Sequence, residues 1–332
     1  MAKSPAISTG FGCESLSESS RTARGTSAGG RARRTGMIWC VTLNPSLDVT
    51  YRLGEDLLPG SVGLAQEMDV QLGGKGNNVA RVVHRLGAPV TMVEILGGHV
   101  GLELSHRAAQ MGIPMLSVAV EQDSRICLTM VGAASGTVTE LRAPGPEVDP
   151  IWANRLLQQL RQSVGPQDWV TISGSLPPGL SVNTYAEWVY ALKGRVAGVI
   201  VDAAGAPLQR AVQAAPTAIV PNRHEYEGIG SFLAHGQTEV IVTEGKDGVR
   251  WYEPSGKVRW WQAPGVKVVN SVGAGDTFLG ALVVQLAAGA TIADAIPRAV
   301  ATASASVETL GVAVFDLTRI DELLREIKEV VT

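Results

Sequence analysis

The segment Val272-Gly273-Ala274-Gly275-Asp276 opens the most apolar stretch of the chain, which runs on to Ala290. Glycines at a helix N-terminus let backbone N–H groups converge with no side chain in the way, and the helix dipole adds partial positive charge there. Such a place holds a phosphate, or the charge that develops as a phosphoryl group moves. Asp276 falls in the first turn, where it can take a proton from a hydroxyl held beside that phosphate. Alone, the tetrapeptide is also a tight turn with a capping acid.

Other segments offer companion chemistry. Leu72-Gly73-Gly74-Lys75-Gly76-Asn77-Asn78 also runs into a helical pattern, with glycines for close backbone approach and Lys75 and Asn78 as a cation and an amide. It is neither a Walker loop nor a dinucleotide fingerprint, because neither glycine spacing is present. Asp48 stands just past the first strand, where ligands of open α/β sheets bind and a carboxylate can take two sugar hydroxyls. Asn222 and Glu225, three apart at a helix start, can jointly reach a metal or its waters, or form a capping box. Arg125 begins a strand and can aim a bidentate donor at a phosphate. Ser173-Gly174-Ser175 is a loop able to offer hydroxyl and N–H groups. The five histidines lack metal-ligand spacing, and Trp251, Trp260 and Trp261 sit in a strand-like stretch that suits packing.

These residues need a scaffold. From Met37, apolar runs at 38–43, 90–96, 115–120, 169–173, 199–202, 218–220 and 240–243 alternate with amphipathic stretches at 78–86, 102–111, 152–162, 185–192 and 208–214. That alternation predicts βαβ units and a parallel sheet covered on both faces. The last third reads as helices over 275–288, 292–310 and 317–331. Strands at 49–53 with 63–70, and at 126–131 with 137–141, come in pairs without helices, which predicts a small accessory sheet acting as a lid.

A length of 332 residues, 45% hydrophobic and 18% charged, suits one large domain with a substantial core. The net charge of -3 carries no polyanion signature, so nucleic acid is not an expected partner. No apolar run reaches the roughly 20 residues of a membrane span. Cys13, Cys40 and Cys127 are scattered, which fits neither a disulfide framework nor a zinc site and points to a reducing, cytoplasmic setting. Residues 1–36 are rich in Ser, Gly and Arg and lack hydrophobic periodicity, so the expectation there is a disordered extension. Met37, directly before the first strand, reads as an alternative start of the protein.

Taken in order, Thr42-Leu43-Asn44-Pro45-Ser46-Leu47-Asp48, Gly73-Gly74-Lys75-Gly76-Asn77-Asn78, Ser173-Gly174-Ser175-Leu176-Pro177, Pro221-Asn222-Arg223-His224-Glu225 and Val272-Gly273-Ala274-Gly275-Asp276 resemble the ribokinase-like (PfkB) carbohydrate kinases. Within that family they are most similar to the branch of 1-phosphofructokinase, tagatose-6-phosphate kinase and the minor 6-phosphofructokinase. The resemblance implies a three-layer α/β/α sandwich over residues 37–332, with a mostly parallel sheet and a β-sheet lid that often mediates dimerisation. It implies Mg2+-ATP and a sugar-phosphate acceptor. Asp276 would be the base and Gly273, Ala274 and Gly275 the anion hole. Asp48, Gly73, Gly74 and Asn78 would hold sugar hydroxyls, and Lys75, Arg125 and Ser175 the existing phosphate. Asn222 and Glu225 would organise Mg2+ through water, and Thr243, Gly245 and Gly248 would line the nucleotide cleft.

Lys75 favours a phosphorylated ketose over a free sugar: fructose 1-phosphate or tagatose 6-phosphate, with fructose 6-phosphate the alternative. Two departures from the family pattern stand out. The stretch from Asn222 to Gly245 is about one helix short, and Glu244 brings negative charge toward a polyphosphate. They leave open a second kind of function, a catalytically weak sugar-phosphate or nucleotide sensor of the same fold.

Overall fold

Five consecutive buried residues, Ile-Trp-Cys-Val-Thr, make β1 (Ile38–Thr42), the strand around which the sheet is laid out. The computed structural model describes residues 36–58, 60–132, 136–228 and 237–330. The expected extension at 1–36 lies, except for Gly36, outside the described residues, as does most of the weak stretch at 228–236.

After β1 the chain forms β2 (Ser46–Leu53), β3 (Ala65–Gly73), α1 (Lys75–Arg85), β4 (Val90–Gly97), α2 (Gly98–Gln110) and β5 (Met115–Val120). Then come β6 (Arg125–Val131), β7 (Val138–Arg142), α3 (Pro150–Ser163), β8 (Trp169–Ser173), α4 (Thr184–Leu192), β9 (Gly198–Asp202), α5 (Gly205–Gln213) and β10 (Ala218–Ile219). The last part holds α6 (Arg223–Glu227), β11 (Glu239–Thr243), β12 (Val249–Tyr252), β13 (Val258–Gln262), α7 (Ala274–Ala287), α8 (Ile292–Val307), α9 (Leu317–Leu324) and β14 (Lys328–Val330).

The large sheet runs β14-β13-β12-β11-β10-β9-β8-β1-β4-β5. From β11 to β5 every neighbouring pair is parallel; β12, β13 and β14 add on antiparallel. Side chains of a strand alternate between faces, and β1 serves both layers. Ile38 and Cys40 pack with α1, α7 and α8, whereas Trp39 and Val41 pack with α3, α4 and α5. This is the three-layer, mostly parallel architecture expected. α7 is apolar on nearly all sides because it is buried on nearly all sides, from Asp276 through Val283.

The unaccompanied strand pairs form a separate sheet, in the order β3-β2-β6-β7. Its faces differ, as period-2 alternation requires. Leu47, Val49 and Tyr51 of β2 align with Leu72, Val70 and Met68 of β3 and with Ile126, Leu128 and Met130 of β6. On the other face Asp48 aligns with Gln71 and Cys127, and Cys127 with Arg142 of β7.

One expected helix is corrected. The stretch 317–331 is not a single helix: α9 ends at Leu324 and β14 follows. A strand there covers the open edge of β13, and Arg259 of β13 binds Glu329 at 2.6 Å. The helix expected to reach 310 ends at Val307, whose carbonyl accepts from Val269 and Asn270 N–H. Among the described residues no helix is long and apolar enough to cross a membrane.

Candidate active site

Strand order reverses at β1: β4 and β5 lie to one side of it, and β8 through β11 to the other. Parallel sheets open a crevice at such a point, beyond the strand C-termini. α1 and α7 both pack on β1 and β8, so their N-terminal residues are the ones this geometry can bring together.

The turn into α1 is shaped by glycine. Gly74 caps the helix with φ 107°, in the left-handed region where a side chain is strained. A Cβ on Gly73 would stand 2.1 Å from Asp48 Cγ, so the missing side chain is what lets the Asp48 carboxyl pack against the turn. Ser46 Oγ donates to Asp48 Oδ1 at 2.6 Å. Burial raises the Asp48 pKa above the ordinary carboxylate value, with Ser46, Arg125 and Arg142 opposing.

Lys75, the first residue of α1, donates to Asp202 Oδ1 at 2.8 Å and lies 3.8 Å from Glu225 Oε1. Burial works against its charge, but Asp202, Asp276 and Glu225 outweigh that and raise its pKa. Further along the helix, Asn78 Nδ2 donates to Asp276 Oδ2 at 2.7 Å. Asp276 is the third residue of α7 and almost fully buried. Its pKa is raised, first by burial and then by Asp202, while Lys75 and Asn78 oppose.

Gly273 caps α7 in the left-handed conformation, φ 77°. Ala274 N–H bonds Ser271 O at 3.3 Å. A Cβ on Gly275 would meet nothing within 4 Å, so open space lies beside the first turn of α7.

Arg125 and Ser175 meet at Asn44. Arg125 Nε donates to Asn44 O and Nη1 to Ala143 O, both at 3.2 Å, and Asn44 Nδ2 donates to Ser175 Oγ at 3.2 Å. Neighbouring Gly174 brings this loop to Lys75, whose Cβ is 3.8 Å from where a Gly174 Cβ would be.

On the far side of Lys75 the capping box is formed. Asn222 Oδ1 accepts from Glu225 N–H, and Glu225 Oε2 accepts from Asn222 N–H, both at 2.9 Å. Glu225 Oε1 remains on the side of Lys75. No group of three or more His, Cys, Asp or Glu among the described residues could hold a metal ion by itself. Glu225 offers one carboxylate oxygen that the capping box does not use, which would suit an ion carried mainly by phosphates and water, as Mg2+ is.

Thr243 joins this region through a backbone bridge to Asn222. Gly245, φ 58°, starts a 3-10 turn with open space around it. Gly248 is needed for a close approach: its Cβ would strike Trp261 O at 2.0 Å. The charge of Glu244 is answered by Arg250 at 2.9 Å and Arg223 at 3.2 Å. Trp251 stacks on Trp261, and Trp260 Nε1 donates to Asp247 O, so all three are packing groups.

One acid at the centre was not singled out from the sequence. Asp202 ends β9, is buried, and pairs with Lys75. Its signal was available, because an acid closing a parallel strand stands at the ligand-binding edge.

A family model described as pfkB family carbohydrate kinase matches residues 42–318. The chain is 28% identical over 304 residues to 1-phosphofructokinase of Escherichia coli strain K12, covering 86% of this chain and 96% of that protein. Among solved structures, the phosphofructokinase-2 of Escherichia coli in complex with potassium superposes with a TM-score of 0.82 at 25% identity, covering 88% of this chain and 99% of that one. A ribokinase from Thermotoga maritima, at 23% identity and a TM-score of 0.72 over 87% and 99% of the two chains, shares the fold.

Proposed function

This chain belongs to the pfkB family of carbohydrate kinases and is an ATP-dependent sugar kinase, and from that premise we propose that its acceptor is fructose 1-phosphate, phosphorylated to the bisphosphate with Asp276 as base. The observation that carries this is the meeting of a glycine-capped helix start, a buried acid and a lysine in one crevice: Asp276 bonds Asn78, and Lys75 three residues before it bonds Asp202.

Phosphoryl transfer asks for positioning and electrostatics more than covalent chemistry. The acceptor hydroxyl attacks the γ-phosphorus in line and passes its proton to Asp276. The raised pKa suits that task, since a stronger base takes a proton more readily once ionised. Amides at Gly273 and Gly275 meet the charge of the moving group, that of Ala274 joining them on giving up its long bond to Ser271 O, and one such donor is worth about 2.7–4 kcal/mol. Asp48, Gly74 and Asn78 hold sugar hydroxyls. Lys75, Arg125 and Ser175 face the phosphate the sugar already carries.

Asn222, Thr243, Gly245 and Gly248 line the nucleotide side, and the Arg223 and Arg250 pairs keep Glu244 from repelling the polyphosphate. Glu225, with Asn222, would hold Mg2+ through water; the ion supplies neutralisation of phosphate charge. The apolar face of the small sheet leaves Met68, Ile126 and Leu141 exposed, which supports dimerisation through that sheet. Leu141→Asp would then give monomers in light scattering, and an unchanged mass would rule that interface out.

Tagatose 6-phosphate fits the same groups, and the likeness to phosphofructokinase-2 favours fructose 6-phosphate as the second candidate. An ADP-release assay across the three ketose phosphates, with ribose and adenosine as controls, separates them. Fructose 1-phosphate is expected to give the highest kcat/KM. No turnover with any of the five would overturn the ketose-phosphate proposal and favour a catalytically weak sensor of the same fold.

A further inference from the structure

Glu94 lies in the interior of β4 and is fully buried; neither carboxyl oxygen makes a hydrogen bond of full geometry among the described residues, and the Asn77 side chain is the polar group close enough to act on it. Strand register sets Thr42 of β1 on one side of it and Ser117 of β5 on the other. Its face of the sheet is the one beneath the start of α1. There Thr42 Oγ1 donates to Asn77 Oδ1 at 3.4 Å, and Asn77 Nδ2 donates to Gly73 O at 2.8 Å. Asn77 is therefore the post that holds the Gly73 carbonyl at the turn into Lys75, and Glu94 stands under that post.

A carboxylate is costly in such a place, so the group is held as the neutral acid. Burial pushes its pKa up to about 8, with Asn77 opposing. Burial and the Asn77 amide account for the shift, with no charged group among its causes. Beside it stand Thr42 and Ser117 in strand register and the Asn77 amide, while Lys75 pairs with Asp202 and Glu225.

We propose that Glu94 is a positioning residue for the sugar-binding turn, holding Gly73 to Lys75 in place as an uncharged acid and loosening them when it ionises. The physical route is competition for one amide. Asn77 Nδ2 carries two N–H groups, one on Gly73 O; an ionised Glu94 draws the other, turning the amide and lengthening its bond to Gly73 O. The turn carries Gly74 and Lys75 and packs against Asp48, so the acceptor site suffers while the nucleotide side does not. The functional half of this inference rests on that turn binding a sugar phosphate.

The test is kcat and both KM values from pH 6.5 to 9.5 for the wild type and for Glu94→Gln, which keeps the shape and cannot ionise. In the wild type the KM for the ketose phosphate is expected to rise about fivefold or more across pH 8, with the KM for ATP nearly level. Glu94→Gln is expected to stay near the wild-type low-pH value throughout. A level wild-type profile, or the same rise in Glu94→Gln, overturns the proposal. Amide hydrogen exchange at residues 73–78 gives a readout that needs no turnover: the wild type should exchange as fast as Glu94→Gln at pH 6.5 and faster at pH 9. An equal ratio at both pH values overturns it as well. If no ketose phosphate is turned over, the acceptor proposal fails while the exchange ratio still decides the role of Glu94.

Discussion

Asn78 Nδ2 donates to Asp276 Oδ2 across 2.7 Å, so a residue of α1 orients an acid of α7, 198 positions later. The bond joins the turn that takes the acceptor to the helix start that takes the transferring phosphate. A hydrogen bond to a charged group is worth about 1.5–3 kcal/mol, which corresponds to about a 10- to 150-fold effect. Asn78→Leu is expected to lower kcat at pH 7 by roughly that factor and to move the acid limb of kcat/KM to higher pH. A pH-rate profile that keeps the wild-type limb would remove Asn78 from this role.

Lys75 and Asp202 act on Asp276 with opposite signs. The base works ionised, so kcat/KM rises with pH, and burial and Asp202 set its midpoint above the usual carboxylate value of about 4. Lys75→Met removes a cation that favours the ionised form, and the midpoint should move up. Asp202→Asn removes an anion that disfavours it, and the midpoint should move down. Shifts in the same direction would contradict the electrostatic scheme.

Two glycines of the site should fail in different ways when changed to alanine. At Gly73 the new methyl meets the Asp48 carboxyl, and forcing extra volume into a packed place costs about 1–3 kcal/mol. Gly73→Ala should therefore lower thermal stability and raise the KM for the sugar. At Gly275 there is room, and alanine within a helix is worth about 0.5–1 kcal/mol over glycine. Gly275→Ala should match or exceed the wild type in thermal unfolding while losing turnover, because the methyl occupies the space beside the first turn of α7. Full activity in Gly275→Ala would mean that this space is not used.

Asn222 holds Glu225 through both bonds of the capping box. Asn222→Ala removes the cap, about 1 kcal/mol of local stability, and lets Glu225 swing. The KM for Mg-ATP should rise more than the KM for the sugar. Equal changes in both would argue that the cap serves folding alone.

Much of this was legible in the residues themselves. The paired strands of the small sheet carried period-2 alternation and no helix between them, and the five glycine- or proline-bearing segments each sit at a strand end or a helix start. The C-terminal strand was not legible, because Leu317 to Val330 keeps a helical apolar spacing and only the open edge of β13 turns its last residues into β14. The sequence reads Lys75 as a cation facing phosphate; its partners Asp202 and Glu225 are 127 and 150 positions away, and no local pattern reveals such a pairing. Glu94 was hidden for the opposite reason, since one acid inside the run Val-Thr-Met-Val-Glu-Ile-Leu does not break a buried strand. The capping box at Asn222 and Glu225 and the metal role are not alternatives here. One oxygen of Glu225 serves the cap and the other stays at the site.

The assignment of Asp276 as base is tested most directly by turnover in Asp276→Asn, with unfolding temperature and ATP affinity measured on the same preparation. The amide fills the same volume and keeps a polar contact with Asn78, but cannot accept the hydroxyl proton. The expected result is a loss of about 10²–10⁴-fold in kcat, with folding and ATP binding close to wild type. Near-wild-type kcat in that variant would contradict Asp276 as the base.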